Sequence, residues 1–127
     1  MDGALRETVI VARKVDAVSE LRRGALELAL LAYLNRKTDF GGAMISGLAE
    51  ATAQGLVITE GALYPALGRL EKKGFLKPEL RKEVEGRKAR KYYALTEQGV
   101  ERLQELKEAW IPLANGMELL FGGGNDE

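Results

Sequence analysis

Arg87, Lys88, Arg90 and Lys91 place four cations within five residues of this 127-residue chain. Cations crowded near one turn suit the phosphates or the minor groove of a nucleic acid. A second set lies upstream, between Thr59 and Lys73. At about 100° per residue, Gly61, Pro65, Gly68 and Lys72 share one arc of a helix, flanked by Tyr64 and Arg69. The opposite stripe, Leu63, Ala66, Leu67 and Leu70, is apolar. A helix that buries one stripe and leaves the opposite arc nearly bare can lie in a DNA major groove. Gly61 and Gly68 would let its backbone approach phosphates or base edges. Thr59, Gly61, Tyr64, Gly68, Arg69, Lys72, Arg87, Lys88, Arg90 and Lys91 are therefore the candidate DNA-binding residues. Taken singly, a basic tip is as often merely solvated, and small residues on a helix face more often serve packing. Their adjacency in one helix-then-hairpin unit is what favours DNA.

Catalysis has little to draw on. The chain has no Cys and no His, so disulfides, thiolate nucleophiles, His-ligated zinc and the Ser-His-Asp triad are excluded. It carries no G-x-x-x-x-G-K-[ST] loop, and the triglycine at residues 122–124 precedes no helix. Glu101, Glu105 and Glu108 fall at i, i+4 and i+7, the pattern of a solvated helix face. No catalytic residue, metal or cofactor is expected. Residues 1–20 contain seven charged residues and no stretch of 18 apolar residues exists, so neither a signal peptide nor a membrane span is expected, and the expected compartment is the cytoplasm.

The zero net charge conceals an uneven distribution. Residues 59–96 carry ten bases against five acids, whereas residues 97–127 carry two bases against seven acids. The local excess, not the chain total, is what attracts a polyanion.

The elements that must position these groups follow from periodicity and capping signals. Residues 4–18 read as a short amphipathic helix with Val11, Val15 and Val18 at helical spacing. Residues 20–36 form a second helix, whose Leu21, Leu26, Leu28, Leu30, Leu31 and Leu34 cover more than one face and imply burial on two sides. A polar break at Asn35–Asp39 precedes a helix over Gly41–Gln54, stopped by Gly55. Thr59 caps the next helix, which Gly74 closes, and Pro65 should cost it one hydrogen bond. Leu76–Val84 alternates as a strand with Leu76, Pro78, Leu80 and Val84 on one face, and Arg90–Leu95 returns after a loop at Glu85–Ala89. Thr96 caps a last helix. Its Val100, Leu103, Trp110, Ala114, Met117 and Phe121 hold heptad a/d positions, with Leu106, Leu113 and Leu120 beside them. Pro112 implies a kink or break near Ile111.

The expected fold is mainly α with a small β-hairpin: a winged helix-turn-helix domain plus a C-terminal dimerisation helix. The expected divisions are an N-terminal extension at 1–19, a DNA-binding winged helix at 20–96, the dimerisation helix at 97–121 and a disordered tail at 122–127. Val100, Leu103, Leu106, Trp110, Ala114, Met117 and Phe121 are the candidate homodimer interface.

Three stretches go beyond a generic class. Leu21–Leu28 (LRRGALEL), Thr59–Gly74 (TEGALYPALGRLEKKG) and Gly86–Gly99 (GRKARKYYALTEQG) resemble the PadR family of transcriptional regulators. The resemblance covers roughly residues 20–121. It implies a dimeric winged-helix regulator, usually a repressor, with the C-terminal helix forming the dimer. It also implies that, as in some members, a cavity between subunits binds planar hydrophobic compounds on a Trp platform. The family usually begins its second helix with a His-Gly-Tyr-Glu-like run, whereas this chain reads Phe40-Gly41-Gly42-Ala43.

Two questions stay open at this point. Trp110, the only Trp, is either a filler of the dimer core or, with Met117 as an adaptable wall, an effector-binding platform for a planar hydrophobic small molecule. The scaffold is either a double-stranded-DNA reader or a winged-helix protein–protein interaction module. Exposed Lys, Arg and Tyr on the third helix and hairpin favour DNA, because a protein-docking surface more often exposes apolar residues.

Overall fold

One helix runs where two were expected. In the computed structural model, which describes residues 3–122, α1 extends unbroken from Gly3 to Arg36. The stretch Ala17-Val18-Ser19-Glu20 contains neither Gly nor Pro, so nothing in the backbone stops the helix there. The expected Val11, Val15 and Val18 stripe concerns side chains outside the described residues. Farther along, Leu26, Leu30, Leu31, Tyr33 and Leu34 are buried. Leu21, expected inside, is exposed.

The polar break holds a two-residue strand that periodicity could not reveal, β1 (Asp39–Phe40). It exists because its partner exists: Asp39 and Phe40 pair antiparallel with Tyr93 and Tyr92. Asp39 is only 4% exposed. Its burial is tolerated because Tyr33 Oη donates to Oδ2 at 2.6 Å and the Phe40 amide donates to Oδ1 at 3.0 Å. Gly47 makes room for this: an added Cβ there would come within 2.1 Å of Tyr33 Oη.

Helix α2 (Gly41–Ala51) ends three residues before the expected stop. The Thr52 hydroxyl donates to the Leu48 carbonyl at 2.7 Å and accepts from the Leu56 amide at 2.9 Å, and Ala53 and Gln54 turn into positive φ. Helix α3 (Glu60–Lys72) follows its capping signals. Thr59 Oγ1 accepts from the Ala62 amide, and Gly74, at φ +85°, closes the end with Phe75 N donating to Leu70 O at 2.9 Å.

The hairpin pairs β2 (Leu76–Arg81) with β3 (Arg90–Leu95) from Leu76↔Leu95 to Arg81↔Arg90. With β1 they form a three-stranded antiparallel sheet in the order β1-β3-β2. The first strand is shorter than the expected Leu76–Val84. Its supposed apolar face is buried only at Leu76, while Leu80 is 73% exposed and Pro78 and Val84 are also exposed. Beyond Leu76 the side chains of β2 are largely exposed, whereas Tyr92 and Tyr93 of β3 are buried.

Helix α4 (Glu97–Phe121) runs on through Pro112, so of the expected kink or break the break does not occur. Residues 107–113 are all exposed, so water can meet the carbonyl that Pro112 leaves unpaired. Thr96 Oγ1 caps α4 by accepting from Gly99 N at 3.0 Å, and its hydroxyl donates to Gly74 O at 2.6 Å. Gly122, at φ +75°, ends the helix; the rest of the expected tail lies outside the described residues. The core gathers Leu30, Leu31 and Leu34 of α1, Met44 and Leu48 of α2, Leu63, Leu67 and Leu70 of α3, and Leu76 and Tyr93 of the sheet. From α4 it takes Leu103 as its one fully buried large side chain.

Candidate nucleic-acid interface

Helix α3 presents the arc its sequence implied. Gly61, Pro65, Gly68 and Lys72 are exposed, opposite the buried Leu63, Ala66, Leu67 and Leu70. A Cβ built on Gly68 would meet nothing within 4 Å, so close approach is open from outside. Thr59 is exposed at the helix start, where its side chain is occupied as the cap.

The two flanks of the arc are held differently. Tyr64 is 46% exposed, with its ring lying on the first turn of α2. A Cβ on Gly41 would sit 2.6 Å from Tyr64 Cε1. Gly41 is thus the residue that fixes where Tyr64 lies, a role sequence reasoning missed. The available signal was the Gly41-Gly42 pair at a helix start, where glycine costs helix stability and needs another reason. On the other flank, Arg69 Nε lies 3.6 Å from Glu27 Oε2, and Lys73 Nζ lies 3.6 Å from Glu27 Oε1. These are ion pairs too long to be hydrogen bonds.

The four cations of the hairpin divide into two pairs. Arg90 places its guanidinium 4.4 Å from the centroid of the Phe40 ring. Lys91 Nζ lies 3.2 Å from Glu71 Oε1 and over the Tyr93 ring, and the Glu71 contact holds its pKa above the usual lysine value. Beside them, Arg81 stacks on Tyr92 at 4.6 Å, while Tyr92 Oη donates to Glu83, which raises the phenol's pKa. Arg87 and Lys88 at the turn are exposed. Among the described residues they pair with no carboxylate, and neither does Lys72.

The long helix keeps an outer apolar face. Val100, Trp110, Met117 and Phe121 are exposed, together with Ile111, Leu113, Leu119 and Leu120. Leu106 and Ala114 are half-buried. Leu103 is corrected: at 5% exposed it packs inside its own chain and presents no surface to another. Its heptad position coincides with the turn of α4 that touches α1, which spacing alone cannot distinguish from an interface position. Trp110 lines a recess of about 300 Å³ between α1 and α4, with Gly24, Leu28, Leu106 and Leu113. Met117 is not among its walls. Among the described residues no group of acidic side chains could hold a metal ion, and no helix is long and apolar enough to cross a membrane.

Three helices, a hairpin braced by a short strand, and a long closing helix define a winged helix-turn-helix protein. Residues 30–105 match the sequence model of the transcriptional regulator PadR-like family, and the chain belongs to that family. The family is one of regulators, not of enzymes. An uncharacterised protein of Lysinibacillus sphaericus is 30% identical over 105 residues, 83% of this chain and 95% of the relative. The crystal structure of a PadR family transcriptional regulator from Eggerthella lenta is 35% identical with a TM-score of 0.72, covering 92% of this chain and 96% of that one. Bacillus subtilis PadR, solved in complex with operator DNA, shares the fold at 24% identity and a TM-score of 0.59, covering 65% of this chain and 45% of that one.

Proposed function

We propose that this regulator binds double-stranded DNA as a homodimer, represses transcription from a palindromic operator, and is released by a planar hydrophobic small molecule. The observation that carries the DNA reading is the bare Gly61–Gly68 arc of α3, bracketed by Tyr64 and Arg69 and accompanied by the uncommitted cations Lys72, Arg87 and Lys88. A protein-docking surface of that size would expose apolar side chains instead. The operator complex of Bacillus subtilis PadR supplies a precedent on the same fold. A reader of genomic DNA in this role works in the cytoplasm. Residues 20–96 are the reader, 97–121 the dimerisation helix and 1–19 an extension.

The dimer reading rests on the outer face of α4. Val100, Trp110, Met117, Leu120 and Phe121 leave a long apolar strip open, of the kind that marks an association surface. A symmetric dimer then reads two half-sites about one or two helical turns apart. The effector reading rests on Trp110, which borders a recess lined by Leu28, Leu106 and Leu113 together with Arg23, Glu27 and Arg102. Such a ligand affects DNA binding only if it favours one spacing of the two α3 helices over another.

A gel shift with genomic fragments at low salt, followed by sequencing of what is retained, tests the core of this reading. A palindromic consensus is expected; retention without sequence preference would sink the specific regulator. Sedimentation should show a dimer at micromolar concentration, and Leu120→Glu should leave a folded monomer. Titrating planar dyes while following Trp110 fluorescence reports on the effector without interference from any other Trp.

A further inference from the structure

Tyr64 and Arg69 leave α3 on opposite sides. By helical arithmetic Gly61, Lys72, Gly68 and Pro65 form one arc, with Tyr64 and Arg69 each roughly 70° from its centre on opposite sides. The Tyr64 side faces α2 and the hairpin: its ring rests on Gly41, and Glu71 on that side meets Lys91. The Arg69 side faces α1, and there the surface opens into a cleft of about 500 Å³. Arg22, Arg23 and Arg69 line it, and Leu26, Gly61, Ala62 and Pro65 complete the walls.

Three arginines line the cleft beside one large aliphatic side chain, Leu26, and none of its seven lining residues is acidic. That lining suits a phosphodiester, whose paired oxygens match the planar fork of Arg. The cleft is also continuous with the reading arc, because Gly61, Pro65 and Arg69 belong to both. We propose that the Arg22–Arg23–Arg69 cleft is a second backbone-binding site, which takes phosphates of the operator strand on the side of α3 away from the wing. It rests on the DNA reading above and extends the footprint from Gly61 and Arg69 to Arg22 and Arg23 of α1.

Glu27 gives the cleft an internal competitor. Its carboxylate holds Arg69 and Lys73 at 3.6 Å each, beyond hydrogen-bond range, so an arriving phosphate can take over the Arg69 donors. Removing that acid should therefore strengthen DNA binding. A purely architectural role for Glu27 predicts the reverse. Arg22 has a second duty, since it donates to the Val57 carbonyl at 2.7 Å and so ties α1 to the segment entering α3. Substituting Arg23 or Arg69 leaves that tie intact, so the test uses those two.

The test measures affinity and its salt dependence for R23Q, R69Q and E27Q in the full chain, on operator and on unrelated DNA. R23Q and R69Q should each weaken both DNAs about three- to tenfold, because binding to phosphate carries no sequence information, and should lower the log–log salt slope by about 0.9 for each phosphate left unneutralised. R23K should restore the slope. E27Q should raise affinity for both DNAs. Thermal melting must show the variants folded; R69Q stands in if R23Q is not. If Y64A and R87Q lose binding while R23Q, R69Q and E27Q leave affinity and slope unchanged, the cleft assignment is overturned and the DNA reading stands. If the unmodified protein retains no DNA, both fall. Inorganic phosphate titrated against the free protein separates the remaining source. Shifts of the Gly61 and Ala62 amides, with DNA binding insensitive to R23Q, would assign the cleft to a free anion and overturn the backbone site.

Discussion

Within the paired strands of the hairpin, its root as against its turn, Arg90 lies over Phe40 and Lys91 reaches Glu71, while at the turn Arg87 and Lys88 stand in solvent, paired with no acid among the described residues. Four cations that look equivalent in the chain therefore have two different employments. The root pair brings β3 against β1 and α3, and its charge is used inside the molecule. The side chains of the tip pair meet no acid among the described residues and stay exposed. Distance from the core decides which employment a cation takes, and five residues of hairpin are enough to change it.

The contrast is sharpest if opposite observables respond at the two ends. At the tip, the double variant Arg87→Gln/Lys88→Gln should reduce DNA affinity by roughly a hundredfold in the dimer and lower the salt slope by about 0.9 for each phosphate left unneutralised in each half-site. Its melting temperature should not move. An unchanged slope would show that the tip does not touch the DNA backbone.

At the root, the next largest effect is expected from Tyr33→Phe, which strips the buried Asp39 carboxylate of its 2.6 Å donor and loosens β1. The cost should be about 1.5–3 kcal/mol, read by denaturant unfolding. The same phenol carries a pH signature. Burial, and then the bond to Asp39, pushes its pKa from 10.0 up to about 12. The unfolded chain gives up that proton first. The stabilisation is thus complete below pH 10.0 and is lost as pH rises toward about 12. Lys91 acts with the same sign, since its pKa is raised from 10.5. Tyr33→Phe should flatten the alkaline limb of the stability profile.

Arg90→Ala comes third. It removes a cation stacked on Phe40 and should cost about 0.5–1 kcal/mol of stability. Its DNA salt slope should fall by less than in either single tip variant. If it matched the tip variants in slope with no loss of stability, root and tip would not be distinct. Smallest is Lys91→Gln. Its ion pair with Glu71 is half in solvent, so the loss should stay below about 1 kcal/mol and shrink further with added salt.

The parts of the fold that local chemistry determines were legible. Helix α3 announced itself through the Thr59 cap, the Leu63–Leu70 stripe and Gly74, all of which act within a few residues of one another. What was not legible depended on residues distant in the chain. Strand β1 has two residues and exists only because Tyr92 and Tyr93 pair with it. Leu80 and Val84 alternate as if one face were covered, but both are exposed, Leu80 even where it pairs with Lys91. Leu103 keeps heptad register with Met117, yet the core of the same chain covers the first and leaves the second exposed. The candidate site divides in the same way. The arc of α3 follows from helical geometry, whereas the pairing of Lys91 with Glu71, the packing of Tyr64 on Gly41 and the position of Arg22 and Arg23 beside α3 are tertiary facts.

The Thr96 hydroxyl has a mechanical consequence. It donates to the carbonyl of Gly74, where α3 has just ended, while its own oxygen starts α4, and Gly99 brings that first turn so close to Phe75 that an added Cβ would lie 2.2 Å from the Phe75 carbonyl oxygen. The reading helix and the long helix therefore share a riveted joint. The 25 residues of α4 make an arm of about 37 Å at 1.5 Å per residue. Two copies joined along the outer half of that arm would work as a pair of calipers: a small change of angle where the arms meet resets the gap between the jaws, and the jaws are the two α3 helices.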